Sequence, residues 1–406
     1  MADERKEASG PLAYLLRMRE RYGDVFALRS IGGQRVLVVG EPEAARQVFS
    51  APPEILRAGE GNRRVIGWLL GDDSLILLDG ERHMNHRRRL LPPLHGGRLA
   101  HQAAAMRARA EEHLDRWPLG KSVATLPLLR ALALDVVLDA AFGESRGKGD
   151  GPMLDALRAL PSASPSGPGD ADSAREIRRA EDLVDKGIAR RRRRSGPPGN
   201  DVLSFLLDVT HENGSPLSAP EVRDELITLV LAGSETTAAS LSWALQHLAR
   251  SPEALAAAAA EAAGGGGAYS EAVIRETLRL RPAVPMSARL VERPFRLGER
   301  RVPEDTVLAV SALLIHHRPD LYPEPMAFLP DRFLEEQPGT YTWIPFGGGV
   351  RRCVGASFAM LEMRIVLSAL LSRMVPRAAG GAPETMRARG NILVPERGGR
   401  VAFEPR

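Results

Sequence analysis

Cysteine is nearly missing from this chain. Cys353 is the single one among 406 residues, so no disulfide can form within the molecule, and the residue must be an inert core thiol, a nucleophile or a ligand. Long apolar runs are missing too. No uninterrupted stretch approaches the length needed to cross a bilayer, and Met1 is followed by the charged A-D-E-R-K-E, so a soluble, cytoplasmic chain is expected. Aromatics are scarce, at 5%, and the four tryptophans carry no specific message. Neither charge sign dominates. A formal net charge of +4 excludes a broadly basic protein, so the run Arg190 to Arg194, before S-G-P-P-G-N, reads as the solvated end of a charged helix rather than a nucleic-acid patch. No internal repeat is visible, and no flavin or iron–sulfur signature marks a second domain.

What is present centres on the surroundings of Cys353. It lies in F-G-G-G-V-R-R-C-V-G, Phe346 to Gly355, immediately before A-S-F-A-M-L-E-M-R-I-V-L-S-A-L-L, whose apolar residues recur at helical spacing. A thiol just ahead of a helix N-terminus, beside Arg351 and Arg352, is favoured as the thiolate by the helix dipole and the nearby positive charge. Gly347, Gly348 and Gly349 permit an irregular backbone that can approach a flat ligand closely. A phosphate loop is the competing reading, but no Lys-Ser or Lys-Thr follows the glycines.

A second segment is A-G-S-E-T-T, Ala232 to Thr237, inside an apolar helical run. Gly233 weakens a helix, and Glu235 with Thr236 are poor choices for a purely structural buried one. The functional reading is that glycine leaves room for a ligand, while a hydroxyl able to bond back to its own helix stands beside an acid. Thr237 is read as a packing or hydrogen-bonding residue. Glu276 to Arg279, E-T-L-R, puts a carboxylate and a guanidinium on one helix face, an arrangement that is usually a surface salt bridge of small value. F-L-P-D-R-F follows at Phe328 to Phe333.

Together, in this order, these segments resemble the cytochrome P450 superfamily from about Tyr22 to Met374, with the loop matching F-x-x-G-x-R-x-C-x-G at each defined position. The resemblance implies haem b, with Cys353 as the axial iron ligand, Phe346 packed against the thiolate, Arg351 paired with a haem propionate and Gly355 completing the cofactor loop. It implies that Glu235 and Thr236 form the proton relay of an oxygen-binding notch, and that Glu276, Arg279 and Arg332 form a buried structural network. His83 and Arg87, four apart in G-E-R-H-M-N-H-R-R-R-L, can both donate to a propionate, as can Arg289 in P-M-S-A-R-L. His86 is expected to be merely exposed.

The fold implied is mainly α with a minor β region, the cytochrome P450 fold, as a single haem domain over residues 1–406. D-V-F-A-L-R-S and Q-R-V-L-V-V-G read as two paired strands, and R-R-V-P-E-D-T-V-L-A-V-S as another strand pair in the same sheet. E-P-E-A-A-R-Q-V-F, L-R-A-L-A-L-D-V-V-L-D-A-A-F and D-V-L-S-F-L-L-D-V read as helices, and Glu253 to Gly267 as an alanine-rich helix ending in four glycines. Pro161 to Asp170 reads as a mobile loop. The stretch from Phe142 to Asp201, where the family places two helices over the substrate pocket, looks short and interrupted.

The activity implied is that of a monooxygenase inserting one oxygen atom from O2 into an apolar small molecule, a terpenoid, fatty acyl or polyketide-like substrate. Electrons would come from an external ferredoxin or flavodoxin with its reductase, docking near Arg88, Arg89 and Arg352. The segments Ile55 to Leu78, Leu229 to Gly233, Ala283 to Ser287 and Asn391 to Val394 would line the pocket. The rivals are a peroxygenase, a haem-thiolate isomerase or dehydratase needing no external electrons, and a haem-binding sensor that turns nothing over. The intact Glu235 and Thr236 pair argues against the first two. A monomer without nucleic-acid or membrane partners is expected.

Overall fold

The computed structural model describes residues 10–29, 34–143, 150–163, 171–194 and 199–406. In chain order the helices are α1 (Pro11–Tyr22), α2 (Pro42–Ser50), α3 (Gly59–Ile66), α4 (Gly80–Leu90), α5 (Gly96–Leu114), α6 (Thr125–Phe142), α7 (Gly151–Ala163) and α8 (Ala171–Arg192). There follow α9 (Val202–Asp208), α10 (Ala219–Leu248), α11 (Pro252–Gly264), α12 (Ala268–Leu280), α13 (Ala312–His316), α14 (Arg332–Glu335) and α15 (Ala356–Leu371). The strands are β1 (Val25–Arg29), β2 (Arg35–Val39), β3 (Leu56–Arg57), β4 (Ser122–Ala124), β5 (Met286–Val291) and β6 (Phe295–Leu297). They continue with β7 (Arg300–Val302), β8 (Thr306–Ser311), β9 (Met374–Ala378), β10 (Met386–Arg389), β11 (Ile392–Pro395) and β12 (Arg400–Pro405). Helix dominates and the sheets are small, as the sequence suggests.

The residues fall into two compact units. The first comprises Met1–Arg57, Met106–Leu132 and Thr236–Arg406, and the second Ala58–Ala105 and Ala133–Glu235. In the first unit a five-stranded sheet runs β1-β2-β8-β5-β3. β1 and β2 pair antiparallel with Val25 opposite Val39, and β2 pairs parallel with β8, Val36 opposite Val307. Helix α2 covers this sheet. Pro42 starts it where a missing N–H costs nothing, and Ala44, Ala45, Val48 and Phe49 recur on one face that is buried against Leu308, Val310 and Ile344.

One expectation fails here. R-R-V-P-E-D-T-V-L-A-V-S is not a strand pair: β7 pairs with β6 in a separate hairpin, while β8 joins the large sheet between β2 and β5. Pro303 has no N–H to continue a ladder, and Asp305 adopts a left-handed φ of 57°, so the chain breaks between the two strands.

In the second unit, α7 and α8 correct the expectation of a short, interrupted region, being 13 and 22 residues long. Pro152 sits in the first turn of α7, where proline is tolerated, and Ser173, Ile177, Ala180, Val184 and Ile188 give α8 a buried stripe at helical spacing. The expected loop from Pro161 begins later, because α7 continues to Ala163; residues 164–170 lie outside those described. The arginine run closes α8, but it is not simply solvated. Arg190 pairs with Asp150 at 2.8 Å, and Arg191 donates to Asp201 at 2.9 Å and to the Phe142 carbonyl at 2.8 Å.

Candidate functional site

Cys353 is solvent-exposed, although cysteine is among the residue types most often buried. Its amide donates to the Phe346 carbonyl at 2.9 Å, which folds the intervening glycines and arginines into a closed loop, and Gly355 then stands at the N-cap of α15. Phe346 packs edge-on against Trp343, with ring centres 6.0 Å apart. Arg351 ends a short 3-10 turn from Gly349 and is partly buried.

Two of the three loop glycines have a reason the sequence did not reveal. A Cβ on Gly348 would lie 2.5 Å from the Phe49 ring, and one on Gly349 would lie 2.1 Å from the Phe49 carbonyl oxygen. Their smallness is therefore required by α2, not only by a ligand. Gly355 behaves differently: no protein atom lies within 4 Å of where its Cβ would be. Arg289, on β5, is buried and lays its guanidinium 5.3 Å from the centre of the same Phe49 ring, donating also to the Ala288 carbonyl. Cys353, Phe346, Arg351, Gly355 and Arg289 thus all belong to the first unit, with Phe49 linking the glycine loop to Arg289.

A largely buried ionic network joins α12 to the segment that carries α14. Glu276 and Arg279 on α12 are both inaccessible, and the guanidinium donates to the carboxylate at 2.7 and 2.8 Å. It also donates to the carbonyls of His316 and Pro325 at 2.8 Å and of Ala327 at 3.0 Å, so each of its five N–H groups has a partner. Glu276 accepts further from Arg332 at 3.3 Å and from the Leu329 amide at 3.0 Å. Burial without such saturation would be strongly unfavourable.

The central helix α10 is unbroken from Ala219 to Leu248. Along it Leu229, Ala232, Gly233, Glu235 and Thr236 retain exposure while most neighbours are buried, and Thr237 is buried. Back-bonding hydroxyls occur on both sides of this stretch, from Ser234 to the Val230 carbonyl and from Ser240 to that of Thr236, each at 2.8 Å. Gly233 is not simply room for a ligand: a Cβ there would come 2.9 Å from Val137 of α6. Glu235 belongs to the second unit and Thr236 to the first.

His83, Arg87 and His86 ride on α4 of the second unit. His83 is buried and Arg87 half-buried. His86, expected to be exposed, is buried as well; its Nδ1 lies 2.7 Å from Glu225 Oε1 on α10, and burial raises the Glu225 carboxyl while His86 opposes that. The 83, 86, 90 spacing, ending in Leu90, carried that signal. Of the expected pocket segments, Ala283 and Leu393 are joined by a hydrogen bond of 2.8 Å from the Leu393 amide.

A family model described as Cytochrome P450 matches residues 5–403. The chain is a cytochrome P450. Among its relatives, "Putative cytochrome P450 137" of Mycobacterium tuberculosis is 38% identical over 411 residues, covering 96% of this chain and 85% of that one. "Putative cytochrome P450 138" of Mycobacterium bovis is 36% identical over 414 residues, covering 96% and 91%. The fold matches that of a structure titled retinoic acid bound cyanobacterial CYP120A1, with a TM-score of 0.84 and 24% identity over 96% of this chain and 94% of that one. This cytochrome P450 is accordingly a haem-thiolate monooxygenase, an oxidoreductase whose cofactor is haem b.

The residues present suit that cofactor. Among the described residues no group of three His, Cys, Asp or Glu could hold a bare metal ion, whereas one exposed thiol on a fixed loop suits an iron already held by a macrocycle. The open space at Gly355 also leaves room for a non-protein group. No described helix is long and apolar enough to cross a membrane.

Proposed function

We propose that this cytochrome P450 hydroxylates or epoxidises an apolar terpenoid, fatty acyl or polyketide-like molecule, with Cys353 as the residue that would hold the haem iron. The observation that carries the reading is the exposed thiol of the chain's single cysteine, held by its amide to Phe346 at the start of α15. Haem b, when bound, supplies the redox and oxygen-activating chemistry. Arg351, Arg289, His83 and Arg87 would hold its propionates by charge-assisted hydrogen bonds, and Phe346 and Gly355 would frame its loop. Residues 1–406 serve as one haem domain in this reading.

Glu235 and Thr236, consecutive on α10, would hold and pass protons at a carboxylate and a hydroxyl. Thr236→Ala should consume oxygen without matching product; unchanged coupling would remove that role. The expected lining segments around Leu229, Ala283 and Leu393 are apolar in sequence, which favours an apolar substrate. An acidic ferredoxin or flavodoxin would dock near Arg88, Arg89 and Arg352. Arg88 meets Glu212 at 3.5 Å and Arg89 meets His211 at 3.2 Å, so the carrier must compete with these contacts, and its transfer rate should fall as salt rises.

The absorption spectrum of the reduced, carbon monoxide-bound protein tests the ligand. A strongly red-shifted Soret band supports Cys353 ligation, and an imidazole-like band overturns it.

A further inference from the structure

Three consecutive residues approaching the thiol loop are each held by a different part of the first unit. The Tyr322 hydroxyl donates to the Thr342 carbonyl at 3.0 Å, the Trp343 indole donates to the Arg275 carbonyl at 3.2 Å, and the Ile344 amide donates to His316 Nε2 at 2.8 Å. The last of these differs in kind. Ile344 and His316 are both buried, and Pro345 follows without an N–H of its own. Loss of the imidazole acceptor would leave a buried amide unpaired, which is costly.

We propose that His316 is a positioning residue for Cys353, transmitting the fixed geometry of the Arg279 network to the thiol loop through the Ile344 amide. The connection is continuous. Arg279 donates to the His316 carbonyl at 2.8 Å, and His316 Nδ1 returns a bond to the Arg279 carbonyl at 3.1 Å, so the two residues grip each other twice. A carbonyl on one ring nitrogen and an amide donor on the other admit only the neutral tautomer with its proton on Nδ1. Burial, with Arg279 nearby, pulls the imidazole down to about 3, which keeps Nε2 an acceptor. Beyond Ile344 the chain reaches Phe346, whose carbonyl receives the Cys353 amide at 2.9 Å, and the Ile344 carbonyl receives the Gly347 amide at 3.0 Å. The Ile344 amide therefore sits where movement would displace both ends of the loop.

Two substitutions of the same chemistry and different reach separate positioning from bulk. His316→Asn places an amide where Nδ1 stands, keeping the Arg279 bond and abandoning Ile344. His316→Gln reaches the Nε2 position and keeps the Ile344 acceptor. The measurement is hydrogen exchange of the 344–353 amides in the haem-loaded full-length protein, alongside the reduced carbon monoxide spectrum. His316→Asn should speed exchange of these amides by about tenfold or more and convert part of the thiolate band to a shorter-wavelength form, with His316→Gln restoring both towards wild type. Equal behaviour of the two variants, whether both harmless or both unfolded, overturns the proposal. The inference rests on Cys353 ligation for its spectral arm only. A wild-type spectrum lacking the red-shifted band would sink that reading, while the exchange of the two variants would still decide the positioning role.

Discussion

Two glutamates on helices that pack against each other, Glu276 of α12 and Glu362 of α15, are both fully buried, and they are treated in opposite ways. Glu276 receives two bonds from Arg279, one from Arg332 and one from the Leu329 amide. Neither oxygen of Glu362 has a hydrogen-bond partner among the described residues, and burial alone pushes its carboxyl well above the usual range. The first is an acid surrounded by donors; the second is one that burial drives towards its neutral form. Burial by itself thus says little about an acid's role, and the donors around it decide the role.

The comparison breaks most visibly at Arg279. Arg279→Ala leaves Glu276 buried without its main partner and three carbonyls without their donor, and should cost about 3–5 kcal/mol in denaturant unfolding. A loss below about 1 kcal/mol would mean the network is not what holds these segments.

Glu362 should show the opposite response. Its folded proton affinity exceeds that of the unfolded chain, so the native state binds more protons above about pH 4.3 and stability falls as pH rises from there, by up to about 1.4 kcal/mol per pH unit. Glu362→Gln should abolish this slope and exceed wild type at pH 7. Identical pH profiles for the two proteins would contradict a neutral buried acid.

His247 sharpens the picture from the acid side. It is half-buried on α10, stacked 4.7 Å from Phe328, and desolvation with the Arg281 and Arg279 charges holds it well below its usual range. The unfolded chain then binds the extra proton, so stability is lost as pH falls below about 6.5, again by up to about 1.4 kcal/mol per unit. His247→Phe should flatten this limb; an unaltered limb would assign the acid sensitivity to His316 and His317. The smallest effect belongs to Arg377 and Glu404, a pair 2.8 Å apart with both side chains 54% exposed. Arg377→Ala should change unfolding free energy by less than about 1 kcal/mol, and a larger change would show that geometry outweighs burial.

The buried set of Glu276, Arg279 and Arg332 was expected only through the family resemblance, since spacing alone reads Glu276 and Arg279 as a surface pair and Arg332 lies far along the chain. The Cys353 loop was legible because its motif is short and its chemistry local. α2, α6, α9 and the β1–β2 pair were legible for a related reason, since periodicity and turn residues lie within a single window. What escaped reading depends on partners distant in the chain. Nothing near Gly348 announces Phe49, and nothing near Gly233 announces Val137. Asp79, which accepts the amides of Ala58, Gly59 and Glu60 at 3.1, 2.8 and 3.0 Å, caps α3 from about twenty residues away and has no local signature.

The seat of Phe49 against Gly348 and Gly349 has a further consequence, for the order in which the protein matures. Phe49 is synthesised early and the glycines late, with most of the chain between them, and β2 likewise waits for β8. Such distant closures are made after local helices have formed, because the entropy of a very long loop must be overcome before any contact rewards it. The seat of the Cys353 loop on Phe49 is therefore expected to form late in folding, and refolding followed with and without haem would check it: a rate that haem accelerates would contradict this order.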